Sequence, residues 1–200
     1  MTEVVNEIKD QFARVLKQED WEHLLEVAEY HFESAAKLRK KNIHYGDKKL
    51  LLRNSMKRLH LGIGVELALK SAFLKKGICI NKLTSEAGEL EKSPIHLLST
   101  LDDSQINPKD TFTLGSLIDK YSQVFEVEPS SELTDGLKIA MTFRNKEGHT
   151  SFPSHEFDES NYTDISNAVI TLYKEAFGKK LNFTIAMKAR DTGVFKKYNK

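Results

Sequence analysis

Apolar positions recur along this chain at three- and four-residue spacing, the repeat of a helix with one buried side. Val4, Val5, Ile8, Phe12, Val15 and Leu16 predict a helix over residues 3–17. Trp21, Leu24, Leu25, Ala28, Phe32 and Ala35 predict a second, capped by Asp20 and running to about Lys41. A long third helix is expected from Lys48 to Lys76, with Leu51, Leu52, Met56, Leu59, Ile63, Leu67 and Leu74 on its buried side. Its middle, Leu61 to Leu69, is apolar nearly all round, which marks it as the central helix. Gly62 and Gly64 lower helix propensity there, and they allow a neighbouring helix to come close. Glu66 is the polar exception, four residues before Lys70 and placed for a simple ion pair.

Gly77 is expected to end that helix, and residues 78–92 read as a connecting loop. Ser93-Pro94 is a helix-start signal for a short helix ending near Asp102. Asp103 to Asp110, with Pro108, reads as a second loop. Thr111 or Thr113 then caps a helix with Leu114, Leu117, Ile118, Tyr121 and Phe125 as its stripe. Pro129-Ser130-Ser131-Glu132 opens a helix lined by Leu133, Leu137, Ala140 and Met141, and Arg144 continues the stripe. Gly148 is expected to end this helix, leaving His149 on the turn beyond. A last long helix carries Ile165, Val169, Leu172, Tyr173 and Phe177 and stops at Gly178. In the tail from Lys179, Phe183, Ile185 and Met187 alternate, the pattern of a short extended segment. The predicted fold class is all-α: a single-domain helical bundle over residues 1–200, with its core at about 20–178, short extra helices and a basic tail at 179–200.

Composition narrows the function classes. Thirty basic and 29 acidic residues give a net charge of +1, so any case for a nucleic-acid partner rests on local clusters. One such cluster runs through Lys37, Arg39, Lys40, Lys41, Lys48, Lys49, Arg53, Lys57 and Arg58, with Asp47 the only acid among them. Two readings stand: solvated faces flanking a turn, or a phosphate-tracking patch in which Lys40, Lys41, Lys48 and Lys49 bind the backbone and Tyr45 stacks on a base. Cys79 is the only cysteine, which excludes an intrachain disulfide framework and a cysteine-based zinc site and fits a reducing cytosol. The acidic N-terminus has no long apolar core and no run reaches membrane-span length, so neither signal peptide nor membrane association is expected.

Arg144-Asn145-Lys146-Glu147-Gly148-His149 is the stretch with chemistry in it. A guanidinium at the end of a buried stripe needs a partner, because an unpaired buried charge is costly. Glu66 and Glu147 are candidates on the protein itself; Lys146 and Glu147 are otherwise expected to face solvent. His149 near the helix C-terminus is favourable in its protonated form as a structural feature alone. His23 and His31 lie eight residues apart on the second helix. His149, His155, Glu156 and Asp158 match no metal signature, so no metal is expected.

The order arginine, polar residue, three residues, histidine, at the end of a late helix, resembles the Arg-x4-His motif of HEPN domains, small all-helical proteins of prokaryotic defence and toxin systems. Val65-Glu66-Leu67-Ala68-Leu69-Lys70 and Leu74-Lys75-Lys76-Gly77 resemble the early HEPN helix that packs on the motif helix. The likeness covers roughly residues 50–177 in helix order. It implies a metal-independent endoribonuclease with no cofactor, working in host defence or a toxin–antitoxin system as a homodimer with a composite site. Under it, Arg144 stabilises charge on phosphate, His149 transfers protons, and Asn145 orients the pair or binds RNA; Glu66, by its place on the central helix and not by the resemblance, is a candidate orienter of Arg144 or His149. RNA, a second copy of the chain and an antitoxin or defence-system protein are the expected partners, and the cytoplasm the expected location. Ser151 stands where some HEPN toxins carry a tyrosine modified by a partner nucleotidyltransferase, so that form of control is not expected unless Ser151 or a nearby tyrosine such as Tyr162 substitutes. The alternative is a non-catalytic helical module binding nucleic acid or protein in a dimeric assembly.

Overall fold

The computed structural model describes residues 7, 20–38, 48–84, 95–150, 159–179, 183–188 and 191–197; side chains are described at most of these, but not at 48–51, 109, 150, 159 or in the last two segments. The predicted helix over 3–17 therefore lies outside the described residues, Glu7 excepted.

The described residues are mostly helical, as the periodicity predicts. Helix α1 spans Trp21–Lys37 and begins where expected, with the Asp20 carboxylate accepting from the His23 backbone N–H at 3.0 Å. Helix α2, Lys48–Lys75, is the long central helix. It closes at Gly77, φ +74°, where Ile78 N–H donates to Phe73 C=O and Gly77 N–H to Leu74 C=O. That pairing is the Schellman cap that a left-handed glycine permits.

Three expectations between residues 78 and 125 are corrected. Ile95 to Leu97 is not helical; Leu97 bridges Ile78, and only the 3-10 turn Leu98–Thr100 follows. The two intended loops instead hold strands, β1 at Asn81–Leu83 and β2 at Ile106–Thr111, paired antiparallel with Asn81 opposite Thr111 and Leu83 opposite Ile106. Pro108 is tolerated because a two-stranded sheet leaves each strand an unpaired edge. Thr113 caps the next segment, its hydroxyl accepting from Ser116 N–H, but that segment is two short helices, α3 (Leu114–Asp119) and α4 (Tyr121–Phe125). The stripe still faces the core: Tyr121 and the partly buried Phe125 stack with ring centroids 4.4 Å apart, and Phe125 meets Phe73 of α2 edge-on.

Helix α5, Ser131–Thr150, carries the motif; the Ser130 hydroxyl accepts from Leu133 N–H at 3.1 Å at its start. Helix α6, Glu159–Leu172, continues into a π-turn, Tyr173–Phe177, and stops at Gly178, φ +62°, as expected. Beyond it, Phe183–Lys188 (β3) and Asp191–Lys197 (β4) form an antiparallel hairpin, β3 beside α6 and β4 beside α1. The alternation of Phe183, Ile185 and Met187 anticipated the first strand.

The core lies around α2. Leu61, Val65, Ala68, Leu69, Ala72 and Phe73 are buried against Ala28, Phe32 and Ala35 of α1 on one side and Leu133, Leu137, Ala140 and Phe143 of α5 on the other. Gly62 and Gly64 make the double contact feasible. A Cβ on Gly62 would lie 2.5 Å from the Arg144 Cβ and 2.7 Å from the Ala140 carbonyl oxygen, while one on Gly64 would lie 2.7 Å from the Phe32 ring. Each glycine is thus a notch for a different helix, the close approach that their presence in a helix interior suggested.

Candidate functional site

The notch at Gly62 decides where Arg144 sits. It brings the α5 backbone against α2 at Ala140 and Arg144, and Glu66, one turn beyond Gly62 on the same face of α2, meets the guanidinium. Arg144 Nε donates to Glu66 Oε2 at 3.1 Å. The same carboxylate takes Lys70 on its other oxygen, Nζ to Oε1 at 2.8 Å, and Lys70 also donates to the Thr111 hydroxyl at 2.9 Å. Both roles weighed for Glu66, the i,i+4 pair and the Arg144 partner, are occupied at once. The Glu66 side chain is 11% exposed and that of Arg144 43% exposed, so the carboxylate is enclosed while the guanidinium reaches solvent. Arg144 Nη1 also donates to Asn145 Oδ1 at 3.2 Å, and Asn145 is exposed. Two cations on one carboxylate leave the trio with a surplus positive charge at the surface.

His149 is exposed in the last turn of the same helix. The expected break at Gly148 is absent: α5 runs through Gly148 and His149 to Thr150. Gly148 keeps an ordinary φ, outside the positive range that Gly77 and Gly178 adopt. Five residues along an unbroken helix turn about 140°, so one chain does not present Arg144 and His149 from the same face.

Glu147, expected to face solvent, is buried, whereas Lys146 is exposed. Glu147 accepts from Arg58 Nε on one carboxylate oxygen and from the Ser55 hydroxyl on the other. The side chains of Arg58 and Glu147 are 2% and 1% exposed. Lys57 is buried too, its Nζ 4.6 Å from the centre of the Tyr162 ring. Burial pushes the Tyr162 hydroxyl above its usual range, with Arg58 beside it acting in the other direction. Lys57 and Arg58 therefore leave the proposed phosphate-tracking surface; they hold α2 to α5 and α6. Lys40, Lys41 and Tyr45 lie outside the described residues, as do the side chains of Lys48 and Lys49. His155, Glu156 and Asp158 also lie outside them.

A signal for Glu147 was present. Leu133, Leu137, Ala140, Arg144 and Glu147 keep the alternating four- and three-residue step of one buried stripe. The histidine pairing on α1 had no such signal: His31 does not meet His23 but His60 of α2, with Nδ1 atoms 3.0 Å apart.

Among the described residues no helix is long and apolar enough to cross a membrane. Comparison of the chain with protein-family models, curated proteins and solved structures finds no match.

Proposed function

We propose that the protein is a metal-independent endoribonuclease of the HEPN type, acting as a dimer in host defence or a toxin–antitoxin system. The observation that carries this reading is Arg144, a half-exposed guanidinium fixed by an enclosed carboxylate and followed on its own helix by the exposed His149. In the proposed reaction the ribose 2′-hydroxyl loses its proton to a histidine and attacks the adjacent phosphorus. The P–O5′ bond breaks, the leaving oxygen takes a proton, and a 2′,3′-cyclic phosphate and a 5′-hydroxyl remain. An imidazole with an unperturbed pKa near 6.5 suits either proton transfer at neutral pH. Arg144 holds the phosphate oxygens as negative charge builds. Asn145, bonded to Arg144, shares in placing it.

The reaction needs an acid and a base, and a single chain turns its one motif histidine away from its arginine. A second copy of the chain facing the C-terminal turns of α5 supplies the missing group. Leu52 and Met56 on α2 are exposed apolar residues on the approach to this end: Met56 is one turn before Leu59, which lies against Gly148.

The test is incubation of purified protein with RNA in EDTA. Cleavage that leaves cyclic-phosphate ends, spares DNA, and falls by about 100- to 10,000-fold in His149→Ala is expected for a proton-transfer group. Arg144→Ala should also abolish cleavage while changing stability by less than about 1 kcal/mol, since its ion pair is partly solvent-screened. The unbroken helix and the occupied guanidinium also favour a second reading, a non-catalytic dimeric module that binds nucleic acid or protein. RNA binding without cleavage, weakened when Lys40, Lys41, Lys48 and Lys49 are neutralised, would establish that reading instead.

A further inference from the structure

The contact between α1 and α2 carries a second arrangement with chemistry in it. His31 and His60 come from different helices, and their rings are 5.2 Å apart, tilted at 47°, with Nδ1 facing Nδ1 at 3.0 Å. Tyr30 stands edge-on to His31 and is exposed, so this end of the contact opens to solvent. As a hydrogen bond, the pair uses one N–H and one lone pair. As a ligand set, it offers two ring nitrogens 3.0 Å apart, one from each helix.

We propose that His31 and His60 form a two-histidine site for a divalent transition ion of the copper or nickel kind. Metal–imidazole bonds of about 2.0–2.1 Å across a 3.0 Å nitrogen separation subtend roughly 91–97°. That is the angle between neighbouring ligands in tetragonal and octahedral coordination, the geometries of Cu(II) and Ni(II), whereas a tetrahedral zinc site needs the nitrogens about 0.3 Å further apart. An imidazole of ordinary pKa, near 6.5, is mostly in its neutral, ligating form at pH 7. Among the described residues no group of three metal-ligating side chains occurs, so the proposed site takes two protein ligands and leaves its other positions to solvent or a further ligand. The site is separate from the motif: His60 lies two residues before Gly62, about 160° around α2 from the face that receives Arg144. An ion there clamps α1 to α2 without entering the proposed cleavage chemistry.

Untagged protein, stripped with EDTA and titrated with Ni²⁺ or Cu²⁺ by calorimetry, should bind one ion per chain at this pair. Its melting temperature should rise, and the rise should vanish on adding EDTA. His31→Ala and His60→Ala should each remove both effects, and His31→Gln and His60→Gln serve where alanine impairs folding. His23→Ala, on the same helix but outside the pair, should keep both. In Cu(II)-loaded protein, electron paramagnetic resonance should show coupling to two imidazole nitrogens. Absence of binding in the wild-type protein, or binding retained in both the His31 and His60 variants, overturns the proposal.

Discussion

Glu147 shows how a single residue is read correctly in kind and wrongly in place. As part of a charged hexapeptide it looked solvated; as the fifth member of a four-three-four-three stripe it had to be buried, and a buried carboxylate must find a cation. Arg58 is that cation. Removing one partner leaves the other charged and enclosed, so Glu147→Ala should cost about 3–5 kcal/mol. The check is urea unfolding, with the midpoint falling at unchanged slope. The histidine pair gives a second residue-level expectation. Folded-state pKa values below the unfolded value of 6.5 mean that the unfolded chain binds protons first as pH falls. Stability is then full above pH 6.5, and is lost progressively as pH drops through that value toward the lower folded pKa values. His60→Gln should flatten the stability profile between pH 7 and 5. No periodicity in sequence marks such a pair, because His31 and His60 meet only through the crossing of two helices.

At the level of elements, glycine means opposite things at two places. Gly62 faces the α5 backbone at contact distance, so alanine there gains helix propensity of up to about 1 kcal/mol but must force α2 and α5 apart. Overpacking of this kind typically costs about 1–3 kcal/mol, and Gly62→Ala should be destabilising on balance and should move Arg144 off Glu66. Gly148 sits in a continuous helix with its nearest neighbour, Leu59, 3.9 Å from a Cβ, which is ordinary contact. Gly148→Ala should stabilise by up to about 1 kcal/mol. Were Gly148 a left-handed cap, the same change would destabilise, so thermal melting of this variant checks the run of α5 directly. The long helices were legible because their stripes extend over several turns and their ends carry Asp20, Gly77, Ser130 and Gly178. Strands β1 and β2 were not, because three residues in one, and a proline in the other, leave no alternation to detect.

For the whole molecule, the proposed cleavage needs two chains, which makes concentration the variable to test. Specific activity should fall on dilution in step with dissociation measured by light scattering; activity per chain that persists in the monomer would remove the composite site. The central helix with its two glycine notches was visible in the sequence, whereas the direction in which the motif faces was not, since it turned on whether one glycine capped the helix, and the helix runs through it. The notch at Gly62 also sets an order of events during synthesis. Glu66 and Lys70 leave the ribosome well before Arg144, and the guanidinium is fastened only once α5 has emerged and docked. A nascent chain therefore carries Glu66 and Lys70 without their third member, and whatever that exposed guanidinium grips can be held only by the finished, docked fold.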